Sequence, residues 1–164
     1  MAKQILNEEI VNDPYHFITS IEELTHYSHV IAPYGLYVEE KSKFDQYSGE
    51  IGLRVGTDID LAVLTPYLPL LSLIDIHYAS FTDGRGHSLA RLLREAYHFN
   101  GILRASGDVF KDTVFYLKRC GFNSFLVKEN ETLEHALQGF KVFSESYQAA
   151  FKESPLFRRR FQLA

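Results

Sequence analysis

Between Phe81 and Ser88 the chain reads F-T-D-G-R-G-H-S, where an apolar run, Leu73 to Phe81, gives way to an amphipathic run, Leu89 to Phe99. An acid (Asp83), a guanidinium (Arg85), two glycines and a hydroxyl residue (Ser88) fill the joint. A strand running into a helix at such a joint turns the free N–H groups of the helix start towards whatever binds there, which suits an anion. Arg91 stands one turn further on, and Arg54 and Arg104 fall near the ends of neighbouring apolar runs. Four guanidiniums, Arg54, Arg85, Arg91 and Arg104, could therefore meet on one small oxyanion, with Gly86 and Ser88 supplying further donors. Asp83 and Asp108 each occupy a strand-to-helix joint. They could pair with the arginines or serve as acid and base. The plain structural alternative gives Asp108 and Ser88 to helix N-caps, Gly84 and Gly86 to turns, and Arg91 and Arg94 to solvated helix charges.

Other chemistry is less well supported. Gly86-His87-Ser88-Leu89-Ala90 imitates a nucleophile elbow, but several loop residues separate Ser88 from the strand and no later Asp and His form a pair. Cys120 follows Lys118 and Arg119, yet a helix C-terminus disfavours thiolate, so a packed thiol is the expectation. His26 and His29 have helical spacing without acidic or thiol ligands to complete a metal site. One cysteine cannot hold an iron–sulfur cluster, and neither G-x-G-x-x-G nor a Walker A pattern occurs. No metal and no cofactor are expected.

The elements that must position these residues alternate. Ser20 to Ser28 reads as a short helix with a Ser20/Glu23 capping box. Strands are expected at His29 to Val38, Glu50 to Val55, Leu73 to Phe81, Ile102 to Ala105 and Ser124 to Val127. Helices are expected from Thr57-Asp58 to Leu71 (broken by Pro66 and Pro69), Ser88 to Phe99, Val109 to Cys120 and Glu131 to Phe151. Residues 1 to 20 show no clear period. About five βα units with short joints imply a mainly parallel sheet in one α/β domain over 1–164. Its N-terminal segment, 1–28, is less regular, and a basic-aromatic tail covers 152–164.

Polar residues on the strands narrow the architecture. Arg54, Asp75, His77 and Arg104 lie on alternate positions opposite apolar neighbours. Central strands covered by helices on both faces would be apolar throughout. A partial (βα)-barrel with a polar inner face is favoured over a flavodoxin-like three-layer sandwich, and its open edges would favour a homodimer.

Composition sets outer limits. The 164 residues are 46% hydrophobic and 23% charged, ordinary for a globular chain with a full core. A net charge of −4 argues against nonspecific nucleic-acid or anionic-lipid partners. With one cysteine, no secretory signal and no membrane-length apolar run, the expected location is the cytoplasm.

Longer blocks carry a resemblance. Phe81 to Glu95 (F-T-D-G-R-G-H-S-L-A-R-L-L-R-E), Leu103 to Val109 (L-R-A-S-G-D-V) and Tyr116 to Phe122 (Y-L-K-R-C-G-F) resemble the bacterial family called domain of unknown function 934. Asp83, Arg85, Ser88, Arg91, Arg104 and Asp108 match its pattern. His87, Lys111, Thr113 and Asn123 stand where that family more often has Tyr, Arg, Gln and Asp. The resemblance implies a role in assimilatory sulfite reduction, with sulfite reductase or phosphoadenylylsulfate reductase as partners. A chain without a ligand set for cluster or flavin would be an accessory protein there, binding the reductase or a small oxyanion. A cofactor-independent enzyme acting on a small anion, through Asp83 or Asp108, is the first alternative. A ligand-free interaction module using the aromatic surface and the tail is the second.

Overall fold

The computed structural model describes residues 2–141. Eight strands form one sheet: β1 (Lys3–Leu6), β2 (Glu9–Asn12), β3 (His16–Phe17), β4 (His29–Pro33), β5 (Glu50–Gly56), β6 (Leu73–Tyr78), β7 (Ile102–Gly107) and β8 (Ser124–Phe125). Their order is β2-β1-β8-β7-β6-β5-β4-β3. From β3 through β8 all neighbours are parallel, and β1 joins β8 and β2 antiparallel. The helices are α1 (Tyr34–Glu39), α2 (Lys41–Phe44), α3 (Leu61–Leu64), α4 (Arg85–Glu95), α5 (Lys111–Arg119) and α6 (Leu133–Gln138).

One short link dictates the curvature. β2 and β3 are the two edges of the sheet, yet only Asp13, Pro14 and Tyr15 separate them in sequence. Seven inter-strand steps would place the edges of a flat sheet about 34 Å apart. The chain from Asn12 to His16 reaches at most about 14 Å. The sheet must therefore curl, and it forms a half-barrel with its two edges tied by one segment. This is the mainly parallel, barrel-like α/β architecture expected from the alternation of polar residues; the sandwich alternative does not apply.

The two faces divide the chemistry. Leu53 and Val55 on β5, Ile74, Ile76 and Tyr78 on β6, and Leu103 and Ala105 on β7 enter the main core with Leu89, Leu93, Val114 and Leu117 of the helices. The alternate residues line the concave side. Burying the first set against α4 and α5 is the dominant stabilising term, since each fully buried aliphatic side chain contributes about 1.5–3 kcal/mol.

Several boundaries differ from the sequence-based expectation. The irregular first segment holds a hairpin: β1 and β2 pair with Asn7 and Glu8 at positive φ (51° and 68°) in the turn. The first expected strand stops at Pro33, and α1 starts at Tyr34. Between β5 and β6, Asp60 rather than Thr57-Asp58 caps α3, accepting the Ala62 N–H at 2.9 Å. The remainder, Thr65–Leu70, is a 3-10 helix because Pro66 and Pro69 cannot donate to an α-ladder. Residues 21–26 also form a 3-10 helix, and the Glu23 carboxylate accepts the Ser20 N–H at 3.0 Å as the capping box requires. The last expected helix is seen as α6 and a 3-10 turn, Gly139–Lys141. Its continuation to Phe151 and the tail 152–164 lie outside the described residues.

Candidate functional site

Strand register arranges the concave side in three rows. Nearest the strand amino ends lie Ile31, Gly52, Leu73 and Ile102. Tyr15 packs on Ile31, Leu73 and Ile102 as a small second core. The middle row is charged: Pro33, Arg54, Asp75, Arg104 and Ser124 stand opposite one another across β4 to β8. The third row, at the strand carboxyl ends, is Gly56, His77 and Ser106. Ligands of parallel α/β proteins collect at those ends.

The segment after β2 covers half of the charged row. Asp13 Oδ1 accepts from Arg104 Nη2 at 2.8 Å, from Gln4 Nε2 at 3.2 Å and from the Tyr15 N–H at 3.1 Å. Arg104 also donates from Nε to Ser124 Oγ (3.1 Å) and from Nη2 to Gln4 Oε1 (3.0 Å). Its exposure is 1%. Tyr15 closes the amino end, its hydroxyl donating to Glu50 Oε2 at 2.5 Å and lying 2.9 Å from Ser72 Oγ. Burial first, and then the Glu50 carboxylate, push that phenol up to about 12. Arg104 thus ties β7 to β8, to β1 and to the segment after β2.

Across Asp75 the row is open. Arg54 donates from Nε to Asp75 Oδ2 at 2.7 Å, and its guanidinium lies 3.9 Å from the centre of the Phe17 ring. The Arg54 side chain is 24% exposed and Phe17 is 41% exposed. Asp75 itself has no exposed surface, and its Oδ1 has no hydrogen-bond partner among the described residues. One row above, His77 Nδ1 and Ser106 Oγ lie 3.1 Å apart. Next to them Gly107 adopts φ +88° with its Cα against the Tyr78 carbonyl and the His77 ring, a place where a Cβ has no room. The mouth thus offers a guanidinium held on one edge, an imidazole and a hydroxyl.

The residues singled out in the sequence do not all meet there. Arg85 is 65% exposed and chelates Asp83 through Nε (2.9 Å) and Nη2 (2.8 Å). Thr57 Oγ1 donates to the same carboxylate at 2.5 Å, so the 80–84 loop is latched to the end of β5. The Arg85 side chain above all, and Thr57 next, hold the Asp83 carboxyl far below the usual carboxylate range. Asp108 is not an N-cap: Phe110 precedes α5, while Asp108 Oδ2 accepts the Phe81 N–H at 3.1 Å and Oδ1 faces Lys128 Nζ at 3.4 Å. Nor is Ser88 one, since α4 begins at Arg85 after Gly84. Gly86 is buried against the Tyr78 ring, where a Cβ would come within 2.6 Å. Arg91 pairs with Glu95 at 2.9 Å on the outer surface of α4.

Arg85 and Ser88 line a different hollow. With Thr57, Asp60, Leu61 and Leu92 they border a groove of about 520 Å³ between α3 and α4, on the helix side of the sheet. Of the four arginines, Arg54 and Arg104 lie on the concave side, and of those two Arg54 keeps exposed surface. Cys120 is buried behind α5, and burial pushes its thiol up to about 11, as suits a packed residue. Among the described residues no group of His, Cys, Asp or Glu is arranged to hold a metal ion. No described helix is long and apolar enough to cross a membrane.

Sequence reasoning marked Arg54, Asp75, His77 and Arg104 as inward-facing but missed Gln4, Asp13, Tyr15, Phe17, Ser106 and Ser124. One signal was present: Val11, Asp13, Tyr15 and Phe17 keep a period of two through the apparent turn at Asn12-Asp13-Pro14.

The fold and this site define a curled, mostly parallel α/β half-barrel with a charged interior that opens at the strand carboxyl ends. The profile of a bacterial protein of unknown function (DUF934) matches residues 52–157, and the chain belongs to that family. No curated protein matches the chain.

Proposed function

We infer that this protein binds a small oxyanion at the concave mouth, through Arg54, His77 and Ser106. The observation that carries the reading is Arg54: Asp75 anchors one nitrogen and Phe17 supports the plane, while about a quarter of the side chain stays exposed. A guanidinium prearranged in this way loses little side-chain freedom on binding, and its planar fork matches carboxylate-like and tetrahedral oxyanions. His77 and Ser106, one row nearer the strand carboxyl ends, add an imidazole and a largely buried hydroxyl.

The resemblance to proteins of assimilatory sulfite reduction points to sulfite or sulfate as the oxyanion, and to sulfite reductase as the partner that receives it. Reducing sulfite to sulfide takes six electrons, and one cysteine cannot anchor the cluster such chemistry uses. The part assigned to this chain is therefore accessory.

Calorimetric titration with sulfite, sulfate and phosphate tests the binding. The reading expects heat with at least one anion and affinity at least tenfold weaker in Arg54→Lys, which keeps a cation beside Asp75 but loses the fork. Arg91→Ala and Arg85→Ala should bind as the wild type does. Silence with all three anions, or dependence on Arg91 rather than Arg54, would sink it. Co-purification of a tagged chain from bacterial cells, probed for sulfite reductase, tests the partner separately.

A further inference from the structure

The mouth contains one group that an ordinary anion site would exclude. Asp75 sits in the middle of the charged row, has no exposed surface, and leaves Oδ1 without a partner among the described residues. Its other oxygen is bonded to Arg54. A buried carboxylate oxygen with nothing donating to it is costly, and in a native site it marks a place for a water or a ligand group. Arg54, the partner of Asp75, keeps about a quarter of its side chain in solvent, so the ion pair reaches from the buried interior to the surface.

We propose that Asp75 is a specificity-determining residue, accepting the O–H of a protonated oxyanion whose charged oxygens are held by Arg54. This rests on the oxyanion reading above and narrows its ligand class. A fully deprotonated ion such as sulfate presents only lone pairs, so it meets Oδ1 with repulsion. Hydrogen phosphate and hydrogen sulfite keep one O–H near neutral pH, and the same oxygen accepts it. Sites built around one fixed hydrogen bond reject close analogues that lack the matching atom far better than sites built on shape. Arg104, on the other side of Asp75, cannot take over the role of Arg54. Its Nε and Nη2 are committed to Ser124, Gln4 and Asp13. The ligand is thus gripped from the Arg54 side alone.

The test compares anions matched in shape and differing in the proton: hydrogen phosphate against sulfate, and hydrogen arsenate against selenate, by calorimetry at pH 7. The wild-type protein should bind the protonated member of each pair tenfold or more tightly. Asp75→Asn, whose amide can donate where the carboxylate could only accept, should bring each ratio close to one and strengthen sulfate binding. Equal affinities within both pairs for the wild type would overturn the proposal while leaving the oxyanion site intact, and so would a ratio unchanged in a folded Asp75→Asn protein. No binding of any of the four, nor of sulfite, would remove the oxyanion reading itself and this inference with it. Should Asp75→Asn fail to fold, the two wild-type ratios decide alone.

Discussion

Arg54 and Arg104 stand in one row of the barrel interior, on either side of Asp75 and placed by the same strand alternation. Arg104 is sealed, with three side-chain partners drawn from β1, β8 and the link after β2. Arg54 has one carboxylate partner, an aromatic ring and a quarter of its surface in solvent. The difference comes from what the N-terminal segment lays over each of them. Asp13 arrives as a counter-charge on one side, and Phe17 as a support on the other. Identical residues on β5 and β7, with β6 between them, thus become a structural tie and a candidate ligand contact.

The comparison is broken most forcefully from the sealed side. Arg104→Ala removes the counter-charge of Asp13 and one donor each from Gln4 and Ser124, in a region of almost no exposed surface. Removing one partner of a buried pair typically costs about 3–5 kcal/mol. Urea unfolding should show a loss of that order. The Arg104→Ala/Asp13→Ala double variant should lose less than the sum of the two single changes. A loss below about 1 kcal/mol, as for an exposed charge, would mean that the row is not sealed.

Tyr15 tests the same side from its amino end. Its folded-state value lies above the ordinary phenol value, near 12 against 10.0. The stability this represents is fully present below about pH 10 and disappears as pH rises towards 12. Each unit of difference is about 1.4 kcal/mol, so the alkaline loss is on the order of 2–3 kcal/mol. Tyr15→Phe removes the titrating group. The stability gap between wild type and variant should therefore be constant from pH 7 to 9 and shrink or reverse above 10. A gap that stays level up to pH 12 would show that the hydroxyl is neither buried nor held by Glu50.

The contrast between the two arginines also marks how far the sequence could be read. Alternation along β5, β6 and β7 assigns Arg54, Asp75, His77 and Arg104 to the inner face from sequence alone, because a two-residue period is a local property of a strand. The curl of the sheet was legible for the same reason, in polar residues where a sandwich would need apolar ones. The partners were not. Asp13 and Gln4 reach Arg104 from 91 and 100 residues away in sequence, through a hairpin whose strands are four residues each and carry little pattern of their own. Pro14 disguised the link as a turn. The Phe81–Ser88 joint was located correctly as strand-to-helix, but the side of the sheet on which Arg85 would lie depends on the loop path, and Asp83 had already taken its guanidinium.

On the open side, Arg54→Lys should cost no more than about 1 kcal/mol, since the replacement keeps a cation next to Asp75 and a partly solvated head tolerates the change. Arg104→Lys should cost more than twice as much, because a single ammonium cannot reproduce the Nε and Nη2 contacts. Denaturation of the pair under one buffer condition reads the ratio directly. Equal losses would erase the distinction between tie and contact.

The smallest effect belongs to the latch outside the barrel mouth. Asp83 is held ionised by Arg85 and Thr57, so its folded-state value lies below the unfolded one. A depressed carboxylate contributes stability that is present above the unfolded value of about 3.9 and fades as pH falls below it. Both members of the ion pair are solvent-facing, which keeps the contribution small and makes it shrink with added salt. Asp83→Asn should therefore be slightly less stable than wild type at pH 6 in low salt. The gap should narrow as pH falls below 4, and Arg54-dependent anion binding should be unaltered at pH 7. If Asp83→Asn also weakened anion binding as much as Arg54→Lys does, the loop and the mouth would be one site, and the separation of inner row from outer groove would have to be redrawn.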